Sequence, residues 1–350
     1  MKRSAAFAIP GDIETLTGGY IYERRLLEAL RAEGRAVAQL HLAASFPDPN
    51  ADEMADAIVQ LQSLGPQTPV IVDGLVFGAI DTEGLARVRA PVVAMIHHPL
   101  ALESGLEADR RDHFFRTERD NLALASHVVV PSRHTREILL TRFGLRADRI
   151  TVAPPGTDRP APRPGPPASP PLILSVGILH PRKGHDVLLR ALAMLGSEDW
   201  QAVIVGKEHE PGEMARLRTL RDELGLAGKV RLAGMIPRDE LDALYRSATI
   251  FALATRYEGY GIVFDEALSY GLPIVSCRTG AVPDTVPPDA GTLVAAEDSA
   301  AMAGALSHLM TDDAARARMA AAAARAGKAL PGWSETGAIM SRVLDSLAGT

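Results

Sequence analysis

Short runs of branched apolar residues alternate along this chain with longer stretches whose apolar positions recur at helical spacing. In the first half the runs are Ala5–Ile9, Val37–Leu40, Val70–Asp73, Val92–His97, His127–Pro131 and Ile150–Ala153. In the second half they are Leu172–Val176, Ala202–Val205, Val230–Ala233, Ile250–Ala254, Ile274–Ser276 and Gly291–Val294. Nearly continuous apolar character is what a strand covered on both faces requires, and helix-length amphipathic segments fill the intervals. The alternation predicts βα units around parallel sheets: an α/β chain with two doubly wound, Rossmann-like halves that share architecture without a residue-level repeat. Between the halves, Pro154, Pro155, Pro160, Pro162, Pro164, Pro166, Pro167, Pro170 and Pro171 remove backbone donors and predict a stiff linker. The expected organisation is an N-terminal domain over 1–153, a linker over 154–171, a C-terminal domain over 172–330 and a last helix within 331–350. That helix opens at Gly332-Trp333-Ser334-Glu335 with Ser334 expected as its N-cap, runs to about Leu347, and has a return to the first domain as one option.

Composition narrows the class. A chain of 350 residues suits two domains of ~150 each, and 47% hydrophobic residues suffice for two cores, which excludes general disorder. With 37 basic against 43 acidic side chains the net charge is -6, so nucleic-acid binding is disfavoured. Cys277 is the only cysteine, which rules out an internal disulfide and a cysteine-based zinc site and fits a reducing cytoplasm. The apolar stretch after Met1-Lys2-Arg3-Ser4 stops at Pro10-Gly11, too soon for a secretory leader. No run approaches the ~18 apolar residues of a membrane span. The expectation is a cytoplasmic protein that is soluble or peripheral on the inner face of the membrane. Ligands of open parallel sheets bind at the carboxyl ends of the strands, so the expected site is a cleft between the two domains.

The most informative stretch is Tyr257-Glu258-Gly259-Tyr260-Gly261-Ile262-Val263-Phe264-Asp265-Glu266-Ala267-Leu268. It follows a predicted strand and passes through two glycines into a helix, an arrangement that offers backbone N–H groups and a helix N-terminus to a phosphate. From the residues alone, Glu258 and Glu266 serve equally as a ligand-facing pair or as a capping and a surface carboxylate. The spacing Glu258-x7-Glu266, followed by Gly271-Leu272-Pro273-Ile274-Val275-Ser276, resembles the E-x7-E signature of glycosyltransferase family 4. Those are retaining enzymes of the GT-B fold, two Rossmann-like domains facing across a cleft. The resemblance implies that Glu258 contacts the donor sugar and Glu266 the ribose hydroxyls, with Gly259, Tyr260, Gly261, Ile262 and Val263 forming the donor-binding turn.

Further matches stand in order along the chain. In Leu174-Ser175-Val176-Gly177-Ile178-Leu179-His180-Pro181-Arg182-Lys183-Gly184 a strand leads to two adjacent cations, a planar fork and a point charge suited to a diphosphate. The resemblance assigns Lys183 to that diphosphate; Ile178 stands where many relatives carry arginine, a departure that either weakens the phosphate clamp or transfers its work to Arg182. Thr17-Gly18-Gly19-Tyr20 is similar to the family's Gly-Gly turn, which implies that Gly18 and Gly19 face the donor diphosphate and the acceptor across the cleft. His97, at a strand end before His98-Pro99, takes the implied sugar-contacting role, and His98 is read as bonded to nearby backbone. Ala153-Pro154-Pro155-Gly156-Thr157-Asp158 resembles the interdomain junction, with Pro155 replacing the commoner asparagine. Gly234 and Met235 resemble the segment beside the base. Thr279-Gly280-Ala281-Val282-Pro283-Asp284 resembles the loop after the E-x7-E helix, with Asp284 where glutamate is commoner.

The resemblance implies transfer of a sugar from a nucleoside diphosphate, UDP favoured and GDP next, to an acceptor hydroxyl in glycan or glycolipid synthesis with retention. Glu258, His97, Lys183 and Arg182 are the implied catalytic set. The nucleotide sugar is a substrate, so no cofactor is expected. No D-x-D element or His/Cys cluster at ligand spacing is visible, so no metal is expected either. Two alternatives from other classes are a nucleotide-sugar epimerase on the same fold and a non-catalytic nucleotide-sugar sensor. For the acceptor, a carbohydrate or a lipid such as diacylglycerol or a lipid-linked glycan, the sequence offers Arg110, Arg111, Arg116 and Arg119 around Phe114 and Phe115. Arg133, Arg136, Arg142, Arg146 and Arg149 are expected on a second helix. Such residues suit an anionic membrane surface, although the interspersed acids Asp109, Asp112, Glu118 and Asp120 favour a solvated face.

Overall fold

The computed structural model describes residues 2–103, 105–159, 168–196 and 199–347. Residues 160–167 of the Pro-rich segment lie outside the described residues. The chain forms two units, Met1–Gly156 with Pro331–Thr350, and Thr157–Leu330.

The apolar runs of the first unit become strands, and the amphipathic intervals become helices. In order they are β1 (Ala5–Pro10), α1 (Gly18–Ala32), β2 (Val37–Leu42), α2 (Ala51–Gln62), β3 (Val70–Asp73), α3 (Gly74–Phe77), α4 (Thr82–Ala86), β4 (Val92–Met95), α5 (Ala108–Leu124), β5 (His127–Val130), α6 (Arg133–Arg142) and β6 (Ile150–Val152). The sheet runs β2-β1-β3-β4-β5-β6 with every pair parallel. Alternate residues go to opposite faces: Ala6, Ala8, Val70 and Val72 join one core, while Phe7, Ile9 and Ile71 are equally buried. Strand order reverses at β1, with β2 on one side and β3 on the other. The carboxyl ends of β1 and β3 therefore frame the crevice where doubly wound sheets take ligands.

The second unit repeats the plan: β7 (Leu172–Val176), α7 (His185–Ala193), β8 (Gln201–Val205), α8 (Glu213–Glu223), β9 (Val230–Gly234), α9 (Arg238–Ser247), β10 (Ile250–Leu253), α10 (Ile262–Ser269), β11 (Ile274–Cys277), α11 (Val282–Thr285), β12 (Gly291–Val294), α12 (Ser299–Thr311) and α13 (Asp313–Ala329). Its order is β12-β11-β10-β7-β8-β9, all parallel, so its switch point lies between β7 and β10. Ile173, Ala202, Ile204 and Ala252 pack on one face, and Leu174, Val203, Phe251 and Leu253 on the other. The α/β class and the two Rossmann-like units thus agree with the hydrophobic pattern.

The last helix, α14 (Trp333–Leu347), belongs to the first unit and lies against α1. Arg35, fully buried, anchors it: Nη2 donates to Ser341 Oγ at 2.8 Å and to Asp345 Oδ1 at 2.7 Å. Thr336 Oγ1 adds a bond to the Pro154 carbonyl at 2.8 Å.

Several local expectations need correction. Ser334 is not the N-cap of α14 but sits inside its first turn, because the Gly332 amide is satisfied by the Glu335 carboxylate instead. The strand expected to reach His97 stops at Met95, leaving His97 in the loop beyond β4. Gly18 and Gly19 are the first residues of α1 rather than a turn before it. Arg146 and Arg149 lie beyond the end of α6, where Arg146 pairs with Asp148. Arg110, Arg119 and Arg136 likewise pair with Asp48, Asp120 and Glu137. Among the described residues, no helix is long and apolar enough to cross a membrane.

Candidate functional site

In the second unit the loops that follow β7 and β10 meet at the switch point. The first closes through a short 3-10 turn, Pro181–Lys183, before α7. The Arg182 carbonyl accepts from the Arg256 amide at 2.8 Å and from Thr255 Oγ1 at 3.2 Å, which ties the two loops together. Across this tie, Lys183 Nζ donates to Glu258 Oε1 at 2.6 Å, and Arg182 Nη1 approaches the Tyr257 carbonyl at 3.5 Å. The Glu258 side chain is 5% exposed and that of Lys183 12%, so this is a nearly buried ion pair. Burial alone pushes the Glu258 carboxyl up. The charges of Lys183 and Arg182, with hydrogen bonds from Lys183 and Thr255, outweigh it and hold the group below the usual glutamate range.

Two glycines make that placement possible. Gly261 enters α10 at φ +91°, a left-handed conformation that side-chain-bearing residues rarely adopt. Gly280, at φ +53°, lies so close to Glu258 that a Cβ there would stand 2.2 Å from the Glu258 carbonyl oxygen. The next residue, Ala281, donates its amide to that carbonyl at 2.8 Å. Gly259, Tyr260, Gly261, Ile262 and Val263 are all partly exposed, as a ligand-facing turn must be. The Ile262 and Val263 amides stand in the first helical turn, where intrahelical geometry supplies no acceptor.

Glu266 lies on α10 with both oxygens engaged: Oε1 accepts from Arg238 Nη1 and Oε2 from Tyr245 OH, each at 2.9 Å. Tyr245 is buried and stacks on Tyr270, with ring centroids 4.9 Å apart. Burial and the neighbouring Glu266 charge push its hydroxyl well above the usual tyrosine range. Sequence reasoning passed over Arg238 and Tyr245. Their signal was position, since Arg238 opens the helix directly after the Gly234-Met235 segment. Gly234 ends β9 at φ +67°, and Met235 stands 62% exposed beside it. Asp265 was also missed. It is buried, accepts from Tyr260 OH at 2.6 Å, and burial pushes its carboxyl up to about 7 against that bond. Behind the β7 loop, His185 Nε2 lies 3.3 Å from the carbonyls of Gly177 and Ile178; burial holds the imidazole down at about 4, so it is neutral.

In the first unit, His97 is partly exposed beside Gly19 and edge-on to Tyr22, with ring centroids 5.2 Å apart. Gly18 is exposed at the start of α1. His98 Nε2 lies 3.9 Å from Glu103 Oε1, a carboxylate neighbour rather than the backbone group expected for it. His97 Nε2 lies 3.6 Å from Oε1 of Glu23, a buried residue of α1, and Asp73 completes a group of three. Glu23 and Asp73 hydrogen-bond each other, and burial pushes the Glu23 carboxyl up to about 7 and that of Asp73 well above its usual range. The fold supplies this set from residues far apart in sequence.

Residues 73–159 match the family model Glycosyltransferase Family 4, and residues 159–326 match Glycosyl transferases group 1. The D-inositol 3-phosphate glycosyltransferase of Xylanimonas cellulosilytica is 33% identical over 240 residues, 64% of this chain and 57% of that protein. The GDP-mannose-dependent alpha-(1-6)-phosphatidylinositol monomannoside mannosyltransferase of Mycolicibacterium smegmatis is 35% identical over 232 residues, 60% of this chain and 59% of that protein. The chain thus spans somewhat more than half the length of these relatives. Sucrose-phosphate synthase from Thermosynechococcus elongatus shares the fold, with a TM-score of 0.83 over 99% of both chains at 20% identity.

Proposed function

The chain belongs to glycosyltransferase family 4, and on that premise we propose that it moves a sugar from a nucleoside diphosphate to an acceptor hydroxyl with retention at the anomeric carbon. The observation that carries the reading is the Lys183–Glu258 pair at the switch point of the second sheet, beside the N-terminus of α10. Departure of the diphosphate builds negative charge while the sugar becomes oxocarbenium-like. Lys183, Arg182 and the first amides of α10 supply positive potential for the first, and the Glu258 carboxylate supplies negative potential for the second. The ion pair makes these roles a single exchange. The incoming diphosphate takes Lys183 from Glu258, which releases the carboxylate for the hydroxyls of the sugar.

Glu266 accepts from the ribose hydroxyls through the lone pairs that Arg238 and Tyr245 leave free, and those two partners fix its orientation. Gly234 and Met235 flank the base. UDP is the favoured nucleotide and GDP the next. With two cations and a helix N-terminus directed at the diphosphate, the departing group is stabilised without a metal there. In the first unit, Gly18, Gly19 and His97 line the ligand-facing end of the sheet. The names of the relatives favour a polyol or glycolipid acceptor, reached by an enzyme in the cytoplasm or peripheral on the membrane.

The test is nucleotide release by the purified chain against UDP-, GDP-, ADP- and dTDP-sugars, with inositol phosphate or a lipid extract as acceptor, alongside Glu258→Ala. Acceptor-dependent release lost in the variant supports transfer. A sugar isomer formed without acceptor would replace transfer with epimerisation, and tight binding without product would leave a sensor.

A further inference from the structure

Glu23 on α1, Asp73 at the last position of β3 and His97 just past β4 meet at the carboxyl edge of the first sheet, each with one polar atom within 4.8 Å of the others. Glu23 is 1% exposed and Asp73 4%. Two carboxyls enclosed side by side do not both ionise, so the pair retains a proton. Their mutual hydrogen bond raises Asp73 and lowers Glu23, which puts that proton on Asp73. Asp73 Oδ1 accepts from the Leu75 amide at 2.8 Å, and the other oxygen is left to donate to Glu23. Glu23 Oε1 remains a bare acceptor. It faces His97 Nε2 at 3.6 Å, and both are buried atoms without a hydrogen-bond partner. Gly19 closes the same side of the ring, since a Cβ there would stand 3.6 Å from His97 Cδ2 and 3.9 Å from Nε2. His97 is nevertheless partly exposed, so the edge it offers outward is that of Nδ1.

We infer that Glu23 and Asp73 are positioning residues that fix His97 as its Nε2–H tautomer, so that Nδ1 meets the ligand as a hydrogen-bond acceptor. A neutral imidazole has one donor and one acceptor nitrogen, and the partner of one decides the duty of the other. Burial lowers the His97 imidazole, which keeps it neutral near pH 7. A carboxylate oxygen can only accept, so Nε2 must carry the hydrogen, and a small turn of the Glu23 carboxyl brings the approach within bonding range. Asp73 secures this polarity: were the proton on Glu23, its hydroxyl could donate to Nε2 and reverse the tautomer. The mount is rigid, because β3 and β4 are directly paired with Asp73 opposite Met95. Tyr20 and Asp12 are the other titratable groups on this side, and the Tyr20 hydroxyl is engaged with the Pro10 carbonyl at 2.9 Å. An acceptor at Nδ1 favours a ligand that presents a hydroxyl and disfavours one that presents only an acceptor. The ligand half of the inference rests on the transferase reading, whereas the tautomer is read without any turnover.

The experiment is long-range 1H–15N correlation NMR of the full chain labelled at histidine, with His97 assigned by the signal lost in His97→Ala. At about pH 7.5 the expected spectrum shows His97 as the Nε2–H tautomer. In Glu23→Gln, Asp73 donates to the amide oxygen and the amide N–H2 turns toward Nε2, so His97 should change to the Nδ1–H tautomer. Asp73→Asn reproduces the donor and acceptor pattern of the protonated acid and should keep Nε2–H, whereas Asp73→Ala should give a mixture. Donor turnover by Glu23→Gln should fall roughly tenfold or more in kcat/KM, with the affinity for free UDP or GDP retained. Should Glu23→Gln fail to fold, as judged by circular dichroism, the contrast between Asp73→Asn and Asp73→Ala decides. An Nδ1–H tautomer or an imidazolium in the unaltered chain would overturn the inference. So would one and the same His97 tautomer in every folded variant. An Nε2–H tautomer in a chain that turns over no donor would count against the transferase reading and not against the acid pair.

Discussion

Glu258→Gln separates the two duties of the Lys183–Glu258 pair. With side-chain exposures of 12% and 5%, the pair lies in the regime where removing one partner costs about 3–5 kcal/mol, because the other charge is left enclosed and unpaired. Discounting for the residual exposure of Lys183, Glu258→Gln should destabilise the second unit by about 2–4 kcal/mol. Lys183→Met should cost a similar amount, and the double variant should cost much less than their sum, giving a coupling of about 2–3 kcal/mol in urea titrations. Ligand binding distinguishes this from a merely structural bridge. If the diphosphate must take Lys183 from Glu258, the Glu258→Gln protein presents a lysine without a competitor. UDP or GDP should then bind as tightly as before or up to about tenfold tighter, while turnover falls by at least a hundredfold. Lys183→Met should instead weaken nucleotide affinity by tenfold or more. Calorimetry on folded variants below their denaturation midpoints reads both values. Additive stability losses, or equal tenfold losses of nucleotide affinity in both single variants, would refute the exchange.

Other consequences are open to direct measurement. Gly280→Ala places a methyl 2.2 Å from the Glu258 carbonyl at a positive φ, so it should lower stability by about 1–3 kcal/mol and weaken donor binding; unchanged nucleotide affinity would show that Glu258 tolerates displacement. His185 titrates near 4 when folded against 6.5 unfolded, so its contribution is complete above about pH 6.5 and is lost as pH falls toward 4, by about 3 kcal/mol. The difference in unfolding free energy between the unaltered chain and His185→Asn should shrink across that window, and a flat difference would contradict the neutral, carbonyl-bound imidazole. Arg35→Ala removes the buried anchor of α14 and should cost about 2–4 kcal/mol with loss of amide protection across Trp333–Leu347; protection retained there would assign the docking to apolar contacts alone.

The fold was legible because parallel strands covered on both faces need uninterrupted apolar runs, and β3 and β7, buried at every position, begin and end where those runs do. Strand ends shifted where pairing rather than apolar character decides: Ile96 continues the run after β4, yet the ladder ends at Met95. The candidate site divides on the same principle. Glu258, Gly261 and Glu266 lie on one strand-turn-helix passage, so local spacing reveals them. Lys183 is 75 residues from Glu258, and nothing in either stretch shows that the two side chains touch; that follows from β7 and β10 being neighbours at a strand-order reversal. Asp265 and Glu266 show the limit most sharply. Adjacent helical positions differ by ~100°, enough to bury one carboxylate against Tyr260 and leave its neighbour to Arg238 and Tyr245. Glu23 carried no signal, since a glutamate on an amphipathic helix reads as solvated until a second carboxylate and a histidine are found facing it. Order reversal in the two sheets is therefore the feature that converts sequence into chemistry. At each reversal it assembles residues with no mutual spacing, a cation with a carboxylate in one unit and two carboxylates with an imidazole in the other. In the second assembly Glu23 and Asp73 hydrogen-bond each other while burial raises both carboxyls, so a shared proton does there what Lys183 does for Glu258.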